Sequence, residues 1–94
     1  MAEKTIERKI PGGKLVRLEV TFSHRIEHVK ITGDFFLHPE EMLDILVNAC
    51  IGLPIPFDAD MLRKNLDLAM QSQDAQFVGV SIDDLISMLE EAVS

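Results

Sequence analysis

Ile31-Thr32-Gly33-Asp34-Phe35-Phe36-Leu37-His38-Pro39 is where the chain changes character. A β-branched run stops at a glycine, a carboxylate follows, two phenylalanines sit side by side, and a proline opens an acidic helical pattern. Adjacent residues of a strand point to opposite faces, so only one phenylalanine of the pair can enter a core. The parity of Val29 and Ile31 runs on through Gly33 to Phe35 and Leu37. Phe35 is therefore expected inward and Phe36 outward. Gly33 marks either a bend inside one long strand or the break to a third strand.

Moving back toward the N-terminus, Ile26 to Thr32 reads as a strand. Ser23-His24-Arg25 is a short connection of hairpin type. Before it, Val16, Leu18, Val20 and Phe22 alternate with Arg17, Glu19 and Thr21, the pattern of a half-buried strand. Pro11-Gly12-Gly13 is a turn signal, and residues 1–10 are polar and mixed, without a clear period.

Moving forward, Pro39 suits the first turn of a helix, where its missing N–H costs nothing. Glu40 and Glu41 suit the positive end of that helix. Met42, Leu43, Leu46, Val47 and Cys50 then fall on one stripe, ended by Gly52 and Pro54. Asp58 reads as the next N-cap, with Leu62, Leu66 and Ala69 or Met70 on the apolar side of the second helix. Residues 71–76 are polar and read as a loop. Ser81 and Asp84 have capping-box spacing, followed by a third helix bearing Leu85, Ile86, Met88, Leu89 and Val93. Strands first and helices after argue an α+β fold: a small antiparallel sheet, an N-terminal hairpin plus a further strand, packed by about three helices.

The 94 residues suit one domain, with 47% apolar and 27% charged residues. A net charge of −7 argues against a nucleic-acid partner. Residues 1–38 carry +2 and residues 39–94 carry −9, so the basic half is the one suited to an anionic ligand or surface. No apolar run is long enough to cross a membrane. The start of the chain has no apolar signal core and there is one cysteine, which together favour the cytoplasm.

Few side chains offer chemistry. Pro11-Gly12-Gly13-Lys14 can present backbone N–H groups and an ammonium to an anion, or be a plain turn; it lacks the P-loop spacing. His24, His28 and His38 have no metal-ligand spacing, and a lone cysteine cannot build a thiolate zinc cluster. Cys50 lies on the apolar stripe of its helix, the place of a core residue. Asp34 either grips a partner's polar group or caps the turn after Gly33. No nucleophile–base–orienter set emerges, so catalytic residues are not expected in this chain alone.

Two motifs carry a resemblance. Lys9-Ile10-Pro11-Gly12-Gly13-Lys14-Leu15-Val16 followed by Ile31-Thr32-Gly33-Asp34-Phe35-Phe36-Leu37-His38-Pro39-Glu40 resembles the C-terminal accessory domain of lipoate–protein ligases, as does Gly79-Val80-Ser81 ahead of the last helix. The likeness spans Lys9 to the end. It implies an accessory subunit of a two-chain ligase, in a heterodimer with a large catalytic subunit. That partner would bind ATP, Mg and lipoate, form lipoyl-adenylate and pass the lipoyl group to a lysine of an acceptor protein. The family fold is similar to the scaffold and sulfur-acceptor (SufE/NifU-like) proteins of iron–sulfur cluster assembly. By position, Gly12, Gly13 and Lys14 would form the loop facing the partner's nucleotide site, with Arg17 as a companion. Gly33, Asp34, Phe35, Phe36 and His38 would form a docking or structural element. The alternative is a cluster-assembly scaffold or sulfur carrier using Cys50.

Overall fold

A computed structural model describes residues 2–11 and 14–94. Three strands, β1 (Ala2–Ile10), β2 (Lys14–Phe22) and β3 (Ile26–Gly33), form an antiparallel sheet in the order β1-β2-β3. A second sheet pairs β4 (Phe36–His38) with β5 (Gln76–Val78), also antiparallel. Three helices, α1 (Met42–Cys50), α2 (Ala59–Ser72) and α3 (Ile82–Val93), complete an α+β fold.

β2 is the central strand because its alternation is the strongest in the chain. Val16, Leu18 and Val20 are buried, and each faces a residue of β3 in register: Gly33, Ile31 and Val29. On the other face, Glu7, Arg17 and Thr32 line up across the three strands, and Glu19 stands opposite Lys30. Opposite charges placed across strands suit a solvated face. The parity of β3 is not uniform. Ile26 and Ile31 are both buried, although odd and even positions of a regular strand face apart. The register shifts between Thr21 and Phe22, so that Thr21 pairs with His28 but Phe22 pairs with Ile26. The bulge leaves Glu27 as the extra residue and turns Ile26 back into the core.

The apolar face is covered by the helices: α3 packs on β1 and β2, α1 on β3 and β4, and α2 bridges α1 to α3. Leu46, Leu62, Leu66, Ile86 and Leu89 close over Leu18 and Ile31, leaving a void of only about 20 Å³. That is about the space of one water, so this void has no room for a larger ligand. α3 is tied to β1 by Arg8, whose guanidinium donates to Ser87 Oγ at 3.0 Å and to Glu91 Oε2 at 3.1 Å. Both expected caps form. Asp58 accepts from the backbone N–H of Asp60 and Met61, and Ser81 with Asp84 makes a full capping box.

Three sequence readings need correction. Residues 2–10 are a strand, paired with β2 along its whole length. Being a mostly exposed edge strand, β1 carries few apolar side chains to betray a period. Pro39 lies in a turn ahead of α1, with its carbonyl accepting from Met42 N at 3.0 Å, because residue 38 still belongs to β4. Glu41 holds the N-cap position of α1, without a side-chain cap hydrogen bond. Residues 71–76 are not one loop: α2 runs to Ser72 and β5 begins at Gln76.

Candidate functional site

Gly33 breaks the chain into two strands, resolving the two readings of that position. Its φ is +148°, and a β-carbon there would stand 2.2 Å from the Leu15 carbonyl oxygen and 2.9 Å from Val16 Cα. Only glycine fits a backbone that close to its neighbour. The next residue exploits the approach: Asp34 N donates to Leu15 O at 2.8 Å. The chain is thus locked across the start of β2, and the two motifs, nearly twenty positions apart in sequence, become neighbours.

The adjacent phenylalanines then separate as strand parity requires. Phe35 packs on the core edge-to-face with Phe77, ring centroids 5.5 Å apart. Phe36 points outward and is 57% exposed, opposite Val78, itself 58% exposed. His38, two residues on and also exposed, lies parallel to the Phe36 ring with centroids 6.3 Å apart. Large apolar side chains left in water across a paired strand are uncommon in a free-standing domain and suit a contact surface.

Phe36 borders two hollows. One, an open groove of about 520 Å³, is lined by Lys14, Gly33, Asp34, Phe35, Phe36 and Val78. The other, about 430 Å³, is lined by Phe35, Phe36, Leu37, His38, Glu40 and Leu43. Lys14 and Asp34 are exposed, and among the described residues neither belongs to an ion pair. The groove therefore presents an ammonium, a carboxylate and an apolar ridge to whatever approaches it. This is recognition chemistry: charge to meet charge, and an aromatic anchor to be desolvated.

The structure brings Lys14, Gly33, Asp34, Phe35 and Phe36 to one groove and puts His38 on the neighbouring one. Gly12 and Gly13 lie outside the described residues. Arg17 is on the solvated face of β2, opposite Glu7. Val78 belongs to the site although the sequence reading passed it over. Phe77-Val78-Gly79, an apolar pair closed by a turn residue, was the available signal. Cys50 is elsewhere. It lines the interior void, its Sγ donates to Leu46 O at 3.4 Å, and burial pushes its thiol up to about 11. Among the described residues no group of three His, Cys, Asp or Glu side chains is placed to hold a metal ion. Among the described residues no helix is long and apolar enough to cross a membrane.

No family model matches the sequence, and no curated protein does. Among solved structures, the fold is similar to a chain from an archaeal lipoylation system of Thermoplasma acidophilum, described as a bipartite lipoate protein ligase and its E2 lipoyl domain. The TM-score is 0.70 at 22% identity, and the alignment covers 94% of this chain and 94% of that one. The two chains thus share one fold over most of their length.

Proposed function

We propose that this chain is the accessory subunit of a two-chain lipoate–protein ligase, acting as a single domain with no bond-making residues of its own. The observation that carries this reading is convergence. Lys14 of the first motif and Gly33, Asp34, Phe35 and Phe36 of the second line one groove, within a fold similar over most of its length to a chain from a bipartite lipoate ligase system.

In this reading the large catalytic subunit binds ATP, Mg and lipoate, and the heterodimer completes its adenylation site. Attack of the lipoate carboxylate on the α-phosphate gives lipoyl-AMP and pyrophosphate, and the amine of an acceptor-protein lysine then takes the lipoyl group, releasing AMP. Negative charge gathers on the phosphates during the first step. A fixed ammonium aimed at them from a dry interface stabilises that charge more than one in water. Lys14 is the candidate, at the rim of the groove and directly after the glycine pair Gly12-Gly13. Phe36, with Val78 across the strand and His38 beside it, would be the apolar anchor that docks on the partner. Gly33 and Asp34 set its angle. A supply of ATP fits a cytoplasmic location.

The expected likeness to cluster-assembly scaffolds is the basis of the rival reading. That rival needs a reactive Cys50. A buried thiol titrating near 11 is almost wholly protonated at neutral pH, and the thiolate is the reactive form. The burial of Cys50 therefore favours the ligase reading.

The test is lipoyl-AMP formation by the catalytic subunit with and without this chain, followed by lipoylation of an acceptor domain. A large stimulation is expected. Equal rates in both arms would remove the proposal.

A further inference from the structure

The geometry points to Gly79 as a positioning residue for Lys14: the turn between β5 and α3 closes on the lysine stem and aims its ammonium over the groove. This deepens the ligase reading and rests on it for its functional consequence.

Gly79 has φ +97°, a conformation that residues with a β-carbon rarely adopt. It is also confined. A β-carbon at this position would lie 3.3 Å from Lys14 Cγ, 3.3 Å from the Asp34 carbonyl oxygen and 3.4 Å from Phe35 Cα. Three segments distant in sequence therefore meet around position 79, where a β-carbon would be a few tenths of an ångström too close. Two of the three neighbours are backbone, held by Gly33 and by the bond from Asp34 N to Leu15 O. Of these three, the side chain of Lys14 is the one free to give way.

The turn cannot easily retreat. On one side Val78 is paired with Phe36. On the other, Val80 is buried and Ser81 closes the capping box of α3. A methyl group at position 79 would thus displace the Lys14 stem rather than the turn. Lysine carries several rotatable bonds and gains little from a single short contact. A backbone wall against its Cγ removes rotamers that point away from the groove, so that less ordering remains to be done on docking.

The experiment is NMR on protein labelled at its five lysines, with the Lys14 signals assigned by their loss in Lys14→Arg. In the unaltered protein, cross-relaxation between the Gly79 Hα and Lys14 Hγ protons is expected. In Gly79→Ala, the Lys14 methylene signals shift while those of Lys4, Lys30 and Lys64 stay. Absence of the contact in the unaltered protein overturns the proposal even if Gly79→Ala fails to fold. So do unmoved Lys14 signals in a folded variant.

A kinetic arm reads the consequence. With the catalytic subunit, Gly79→Ala is expected to lower the lipoyl-AMP rate about tenfold, and less than twofold when Lys14 is already alanine. Equal losses in both backgrounds would show that Gly79 acts without Lys14 and would overturn the positioning role. Unchanged activation in Lys14→Ala alone would strike the functional reading of Lys14 instead, and the NMR contact would tell the two failures apart.

Discussion

The two sheets of this protein treat apolar side chains in opposite ways. The three-stranded sheet turns Val16, Leu18 and Val20 under helices until almost nothing of them is exposed. The two-stranded sheet buries Leu37 but leaves Phe36 and Val78 in water. The first is a scaffold whose stability comes from burial, at roughly 25 cal/mol for each Å² removed from water. The second is too short to stand alone and owes its shape to the scaffold through the clamp at Gly33. The contrast teaches where stability and recognition are to be sought: mutations in the large sheet should be felt in folding, and those on the small sheet in binding.

The sharpest way to break that division is at the joint. Gly33→Ala sets a methyl group against the Leu15 carbonyl and should lower the unfolding free energy by roughly 4 kcal/mol, measured by denaturant titration. A loss below about 1 kcal/mol would mean that the two sheets are not clamped together there.

The scaffold side can be tested by pH. The folded state raises the Cys50 thiol from about 9 to about 11 by burial. The unfolded chain therefore releases this proton at lower pH than the folded one. The contribution to stability is complete below about pH 9 and is lost as pH rises through about 11, a fall of about 3 kcal/mol. Cys50→Ala should start from a lower stability but lack this decline relative to the parent. Parallel curves for the two proteins would show that the thiol is not buried.

On the small sheet the expectation reverses. Phe36→Ser should weaken binding to the proposed catalytic partner by about 2 kcal/mol, near thirtyfold in Kd by calorimetry. Its unfolding free energy should change by less than about 0.5 kcal/mol. A large loss of stability with unchanged binding would make Phe36 part of the scaffold. The smallest effect concerns the link that carries β5 into α3. Ser81→Ala removes the cap hydroxyl and should cost about 1 kcal/mol of stability, with the Phe36 contribution to binding intact.

Much of this contrast is legible in the residues. The β2 alternation, the Phe35–Phe36 split, the Asp58 cap and the Ser81–Asp84 box are local patterns, and each appears in the structure as read. β1 and β5 were not legible for a common reason. A strand of three residues, or an edge strand with polar side chains on both faces, has no period strong enough to recognise; its partner makes it a strand. The Ile26 bulge was hidden in the same way, since parity alone cannot reveal an extra residue in a ladder.

By itself, then, the sequence determined the elements with a strong internal period and the helix starts with a capping side chain, whereas the need for glycine at position 33 came from its approach to Leu15. Tertiary structure alone decided that Lys14, Asp34, Phe36, Val78 and Gly79 share one small region. Periodicity and capping are interactions between residues a few positions apart. The meeting of residues 14, 34 and 79 instead depends on how β2, β4 and β5 settle over a common core, which no local pattern records.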